Sequence, residues 1–221
     1  MEIGDIPEQH LIPPAPADLK IDGRLEDWDL GDAFVVDPEQ QPNDQVLVPT
    51  GHQFDGSEDL SARISLVWDK ENFYVAARVS DDHLRGIEPG TAHTAGPAGW
   101  ACDSVMVVPH SNRQPLHRPG PHKPMALRYS VPDGGRGKLL DYKRGTPDNT
   151  HLSWKLPEKS LYACIETPDG YQVEAAIPWK SLRYEASAGE PLSLAFLLAD
   201  IDPDEPLKQL GWEFPHRVLF R

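Results

Sequence analysis

The chain has 221 residues. A chain of that size buries roughly 70% of its unfolded surface, so its core needs neither disulfide nor metal. Its 35 acidic and 21 basic residues give a net charge of −14, which argues against nucleic acid or an anionic membrane as the main partner, since both demand a basic face. The 17 glycines and 23 prolines favour many turns over long helices.

Residues 1–18 contain Pro7, Pro13, Pro14 and Pro16 and little apolar periodicity. They are expected to form an extended arm ahead of a single domain at 19–221. The opening Met1-Glu2-Ile3-Gly4-Asp5 has no basic or apolar segment of a signal peptide, so the expectation is a cytoplasmic protein unless a leader has been removed. Segments 37–59 and 109–125 read as loops by their Pro, Gly, Asn and Asp content. In 62–68, Ile64, Leu66 and Trp68 alternate with Arg63, Ser65 and Val67. The polar turn Asp69-Lys70-Glu71-Asn72 leads into 73–79, where Phe73, Val75, Ala77 and Val79 share one face. Strand, short turn, strand predicts a hairpin. Further strands are expected at 104–108, 126–131, 161–166, 171–177, 192–199 and 218–220, with a tight turn at Asp169-Gly170. One helical turn is expected at 178–182, with Pro178 first, where its missing N–H does no harm. The longest apolar stretch, 192–199, is far too short to span a bilayer as a helix. The fold class is therefore all-β: an antiparallel β-sandwich of the jelly-roll kind.

No nucleophile elbow, zinc-protease, P-loop or dinucleotide motif occurs. Asp133-Gly134-Gly135-Arg136-Gly137 precedes no helix pattern and reads as a hairpin turn. Asp200-Ile201-Asp202-Pro203-Asp204-Glu205 resembles the start of an EF-hand loop. Glu205 stands where that loop needs Gly, and Gly211 stands where it needs a bidentate Glu, so a solvated acidic loop is expected. Asp81-Asp82-His83 follows directly on a strand; its carboxylates suit a hard cation or the closing of a turn. His110, His117 and His122 match no zinc spacing. Cys102 and Cys164 lie far apart and are expected to be two buried free thiols. Trp28 and Trp68 fall at core positions. Trp100 ends a Gly/Pro/Ala loop just before a strand, where an indole serves either as a core anchor or as a platform for the C–H face of a pyranose. Trp154, in a polar loop, is a candidate second wall.

Several stretches together resemble family 9 carbohydrate-binding modules. Ile21-Asp22-Gly23-Arg24-Leu25-Glu26-Asp27-Trp28 is similar to that family's opening IDG…W signature. The hairpin 64–79 ending in Asp81 is similar to its paired strands ending in Asp. Trp100-Ala101-Cys102-Asp103-Ser104-Val105 is similar to W-x-x-D-S-V-E, and Gly170-Tyr171-Gln172-Val173-Glu174-Ala175-Ala176-Ile177-Pro178-Trp179 to G-Y-x-V-E-A-A-I-P-W. Asp200 in a late strand, followed by Gly211-Trp212, fits the family's ending. The likeness runs over residues 19–221.

The resemblance implies a non-catalytic β-sandwich that binds mono-, oligo- or polysaccharides at chain ends, with calcium, as an accessory to glycoside hydrolases outside the cytoplasm. It assigns sugar stacking to Trp100, hydroxyl recognition to Arg128, and calcium to Asp81 and Asp103. Two departures stand out. Met106 occupies the position of the motif's sugar-binding Glu, and the chain near Trp212 has no long loop with a second clamping Trp. Two other readings stand beside it: a sandwich that lost sugar binding and serves as a scaffold, and a haem domain of related build using Met106, Met125 or a histidine. The sequence finds no nucleic-acid partner, no membrane insertion and no enzyme.

Overall fold

The computed structural model describes residues 10–40, 46–47, 53–86, 103–111, 125–128, 138–141, 159–182, 184, 186–189, 191–203 and 208–220. In chain order the strands are β1 (His10–Ile12), β2 (Phe34–Val36), β3 (Val46–Leu47), β4 (Leu60–Trp68), β5 (Asn72–Asp81), β6 (Ser104–Ser111), β7 (Met125–Arg128), β8 (Lys138–Asp141), β9 (Leu161–Thr167), β10 (Gly170–Pro178), β11 (Pro191–Asp200) and β12 (Lys208–Phe220). One helical turn, α1 (Trp179–Leu182), follows β10. A seven-stranded sheet runs β1-β12-β11-β6-β7-β8, with β3 on β12, and a five-stranded sheet runs β2-β4-β5-β10-β9. Among the described residues, all pairings between these strands are antiparallel except β1 with β12, and Pro14 adds a single parallel bridge to Trp68. This is the all-β sandwich that the alternating apolar pattern predicts.

The pattern works because strand side chains alternate between faces. Phe73, Val75, Ala77 and Val79 of β5 and Leu192, Leu194, Phe196 and Leu198 of β11 point from opposite sheets into one core. Trp179 caps one region of it, with Phe73 and Phe220 at ring-centroid distances of 5.3 and 5.4 Å. The stretch set apart as an arm joins this sandwich from His10 onward: β1 pairs with β12, and Ile12 is buried in the core. Cys164 is a buried free thiol, and burial pushes it up to about 12; Cys102 lies outside the described residues.

A second apolar cluster covers the outer face of the five-stranded sheet. Leu25 and Trp28 pack there on Val67 and Ala76. The clamp is Glu174, which faces outward from β10 beside Ala76 and is nonetheless fully buried. Its carboxylate accepts bonds from the backbone N–H of Asp22 (3.0 Å) and Gly23 (2.5 Å) and from Trp28 Nε1 (2.5 Å). Gly23 has φ +91°, and an added Cβ would stand 2.7 Å from Ile165 Cγ2, so only glycine fits there. Two sequence motifs, the one ending in Trp28 and the one containing Glu174, are thus the two halves of one latch.

Charged acceptors of buried donors are worth more than neutral ones. Glu174→Ala leaves three donors without an acceptor and is expected to lower the unfolding free energy by about 2–4 kcal/mol. Glu174→Gln keeps one carbonyl oxygen and should lose less. Urea unfolding checks both; a loss below about 0.5 kcal/mol in Glu174→Ala, the range of ordinary surface changes, would show the latch to be idle.

Candidate functional site

At one end of the sandwich the inward-facing series changes from apolar to charged. In β5 the core positions run on from Val79 to Asp81, and in β11 from Leu198 to Asp200. Asp103 stands two residues before core Val105, and Lys208 two before core Leu210. Strand register gathers these ends: Asp81 pairs with Leu60, next to Asp59; Asp200 pairs with Lys208; Ser104, next to Asp103, pairs with Ala199. Asp59, Asp81, Asp103, Asp200, Asp202 and Lys208 are all buried. Asp200 and Asp202, expected in a solvated loop, are therefore interior. Their alternation with Leu198 was the sequence signal for it.

The carboxylates differ in what they bind. Asp103 accepts a bond from the Arg85 N–H at Oδ2 and from the Ile201 N–H at Oδ1, 3.0 Å away. It thereby ties the start of the loop after β5 to the end of β11. Asp81 Oδ1 accepts from His83 N at 3.0 Å, whereas its Oδ2 is buried without a hydrogen-bond partner among the described residues. Neither Asp200 oxygen makes a directed hydrogen bond there, although Lys208 Nζ lies 3.1 Å from Oδ2. Asp81, Asp103 and Asp200 each offer an oxygen, all within 4.8 Å of one another. Burial, then the charge of Asp200, pushes Asp81 up to about 7. Burial, then the charge of Asp81, pushes Asp103 up to about 9. Burial holds Asp200 at about 6, against the pull of Lys208. Burial, with the charges of Asp103 and Asp81, also pushes the neighbouring Tyr171 phenol well up. Carboxylates this close and this dry resist ionising together unless a cation sits among them. Three carboxylates with open lone pairs suit a hard divalent ion, which prefers oxygen.

The structure thus brings Asp81 and Asp103 close together, as the resemblance implies, and adds Asp200 beside them, which the sequence reading did not place there. Beside the trio, His83 Nδ1 contacts Asp82 at 3.0 Å and approaches Asp202 at 3.8 Å. Trp100 and Trp154 lie outside the described residues. Arg128 ends β7 directly opposite Ser104, and Ala126 is opposite Met106. Met106, out of phase with core Val105 and Val107, is placed on the sheet face turned away from the core, at the sheet end that carries Asp103. Met106 is buried there, yet belongs to neither apolar cluster.

No protein-family model matches the sequence, and no curated protein does. Solved structures do. A family 9 carbohydrate-binding module from Caldicellulosiruptor kristjanssonii, in complex with cellotriose, superposes with a TM-score of 0.62 at 15% identity, over 97% of this chain and 94% of that one. The chain has the fold of a family 9 carbohydrate-binding module. A module of this family from the same organism, in complex with glucose, gives a TM-score of 0.55 at 16% identity, covering 96% and 95% of the two chains. A Bacteroides uniformis protein provisionally assigned to carbohydrate binding gives 0.56 at 8% identity, covering 97% and 99%. The family 9 fold here therefore rests on shape across nearly the whole chain, with few identical residues.

The acidic end makes a pH prediction for protein held free of metal by chelator. Asp81, Asp103 and Asp200 ionise at about 7, 9 and 6 when folded, against 3.8 as free groups. Folding therefore takes up protons between pH ~4 and ~9, and stability falls as pH rises through that window. The melting temperature in chelator should be higher at pH ~5 than at pH ~8.5, by about 5 °C or more. Asp81→Asn should flatten the profile. A chelated wild type that gains stability with rising pH would contradict the assigned shifts.

Proposed function

We propose that this chain is a non-catalytic carbohydrate-binding module that takes the ends of glucan-type saccharides and carries a structural calcium ion. The observation that carries the reading is the family 9 fold over nearly the whole chain, shared with modules solved with cellotriose and glucose. In this reading Trp100 stacks on the apolar face of a sugar ring, Trp154 forms a second wall and Arg128 donates to ring hydroxyls. The register position of Arg128, opposite Ser104 and thus close to Asp103, supports that role. Met106 supplies no acceptor where the family motif has Glu, so one hydroxyl goes without a carboxylate partner. Affinity should accordingly be modest, in the micromolar to millimolar range, or about 4–8 kcal/mol. The module would deliver a glycoside hydrolase to its polysaccharide, outside the cytoplasm.

Calcium is assigned to Asp81, Asp103 and Asp200. The orphaned Asp81 Oδ2 and Asp200 Oδ1 fit an ion that takes six to eight oxygens, the remainder coming from carbonyls and water. Asp103 also holds the Arg85 N–H, so the ion would steady the start of the connection that reaches Trp100.

Titration calorimetry with cello-oligosaccharides checks the sugar site. Trp100→Ala should remove most of the binding, and Arg128→Ala should weaken it about tenfold, or ~1.4 kcal/mol. If Trp100→Ala binds a sugar as tightly as the wild type does, stacking occurs elsewhere. If no saccharide binds at all, Met106 marks a sandwich that kept the fold and serves as a scaffold.

Thermal melts check the ion. Binding to the folded state alone adds roughly 2.7 kcal/mol at a hundredfold excess over Kd. The melting temperature should rise with calcium and fall with chelator at pH ~8, and Asp200→Asn or Asp81→Asn should abolish the difference. Wild-type melts indifferent to chelator would leave Asp103 as a backbone anchor only.

A further inference from the structure

Lys208 stands beside the three carboxylates assigned to calcium, and the sequence gives it no role. Its Nζ is 3.0 and 3.1 Å from the two oxygens of Asp59, 2.7 Å from Asp202 Oδ2 and 3.1 Å from Asp200 Oδ2. The ring of Phe54 forms another wall, its centroid 5.4 Å from the ammonium. Lys208 is 2% exposed, and each of the three carboxylates is buried too. A buried lysine is expensive unless its charge is matched, and here it is matched more than once. Burial works against the charge, but Asp202, Asp59 and Asp200 together hold the ammonium above its ordinary range.

Without that ammonium, what remains is a cation site. Asp59, Asp200 and Asp202 each present an oxygen, all within 4.8 Å of one another. Asp202 Oδ1 is buried without a hydrogen-bond partner among the described residues, and so is Asp200 Oδ1. The ammonium contacts of 2.7–3.1 Å exceed the 2.3–2.6 Å of calcium–oxygen bonds only by tenths of an ångström, within the reach of a small carboxylate shift. Asp200 belongs to both groups of three.

We propose that the Lys208 ammonium occupies a second cation position, formed by Asp59, Asp200 and Asp202, so that the chain supplies from its own sequence a charge that a divalent ion would otherwise supply. Lys208 excludes calcium from this position. It ties β12 and the end of β11, in one sheet, to the start of β4 in the other, whatever the calcium concentration. The inference shares Asp200 with the calcium reading but does not depend on it, because its test is a difference between two proteins.

The test is calcium stoichiometry by equilibrium dialysis and metal analysis at pH ~7.5. Lys208→Ala opens room for an ion and its water, and should bind one more calcium per chain than the wild type, whatever number the wild type binds. Adding Asp59→Asn to Lys208→Ala should remove the extra ion and leave the wild-type number, since Asp59 lies outside the Asp81, Asp103 and Asp200 group. Lys208→Gln, whose amide still donates to the carboxylates, guards against loss of folding and should gain the same ion. In chelator both variants should melt well below the wild type, and calcium should raise their melting temperatures more than it raises the wild type's. Equal stoichiometry in wild type and folded variants overturns the proposal. So does an extra ion that survives Asp59→Asn, and so do variants that remain unfolded in millimolar calcium, because the ion is meant to replace the ammonium. A wild type that binds no calcium, beside a variant that binds one, sinks the calcium reading and upholds this one.

Discussion

Five carboxylates are buried between the ends of two sheets, and like charges in a dry space repel until a cation stands among them. The architecture of this end of the sandwich depends on how that repulsion is met. Asp59 and Asp81 come from the five-stranded sheet; Asp103, Asp200 and Asp202 come from or border the seven-stranded one. Any cation that satisfies them therefore also joins the sheets, at the place where the apolar core gives out. Lys208 does this for Asp59, Asp200 and Asp202 through direct contacts. Among the described residues, Asp81 Oδ2 and Asp200 Oδ1 have no such partner, and that imbalance is the physical argument for proposing a metal ion there.

The outer faces of the two sheets are used differently. That of the five-stranded sheet is partly covered by the chain's own 15–30 stretch, held down by Glu174. The seven-stranded sheet places Met106 on its outer side and pairs Arg128 with Ser104, at the end next to Asp103. The buried carboxylates and the outward position of Met106 thus meet around one strand start, that of β6. Adjacent residues of a strand point to opposite faces, so Asp103, just before β6, serves the interior end while Ser104 turns to the other side.

Hydrogen bonding couples these parts. Asp103 takes the N–H groups of Arg85 and Ile201, and so connects the segment after β5 to the segment after β11. An aspartate that only closed a turn would bond within its own loop. This one bridges two loops from opposite sheets, which makes the positions of both sensitive to its charge state.

The sequence by itself determined most of the longer sheet-forming stretches, since period-two alternation has one physical meaning in a strand; the short β2, β3 and β8 it did not mark, and β3 fell in a segment read as a loop. The 62–79 hairpin, the tight turn at Gly170 and the one helical turn at Trp179 all follow from local chemistry. It missed the length of β12, where Gly211 and Pro215 interrupt the strand pattern and the register with β11 shifts between Leu194 and Phe196. It missed β1 because a three-residue strand, placed by a single core side chain, Ile12, leaves no period to read. Motif likeness found Asp81 and Asp103. The burial of Asp59, Asp200, Asp202 and Lys208 was decided only by the tertiary structure: a charged residue at a strand end is solvated or interior according to what faces it, and the residue that closes this group, Asp59, comes from the other sheet, 149 residues from Lys208 in the chain.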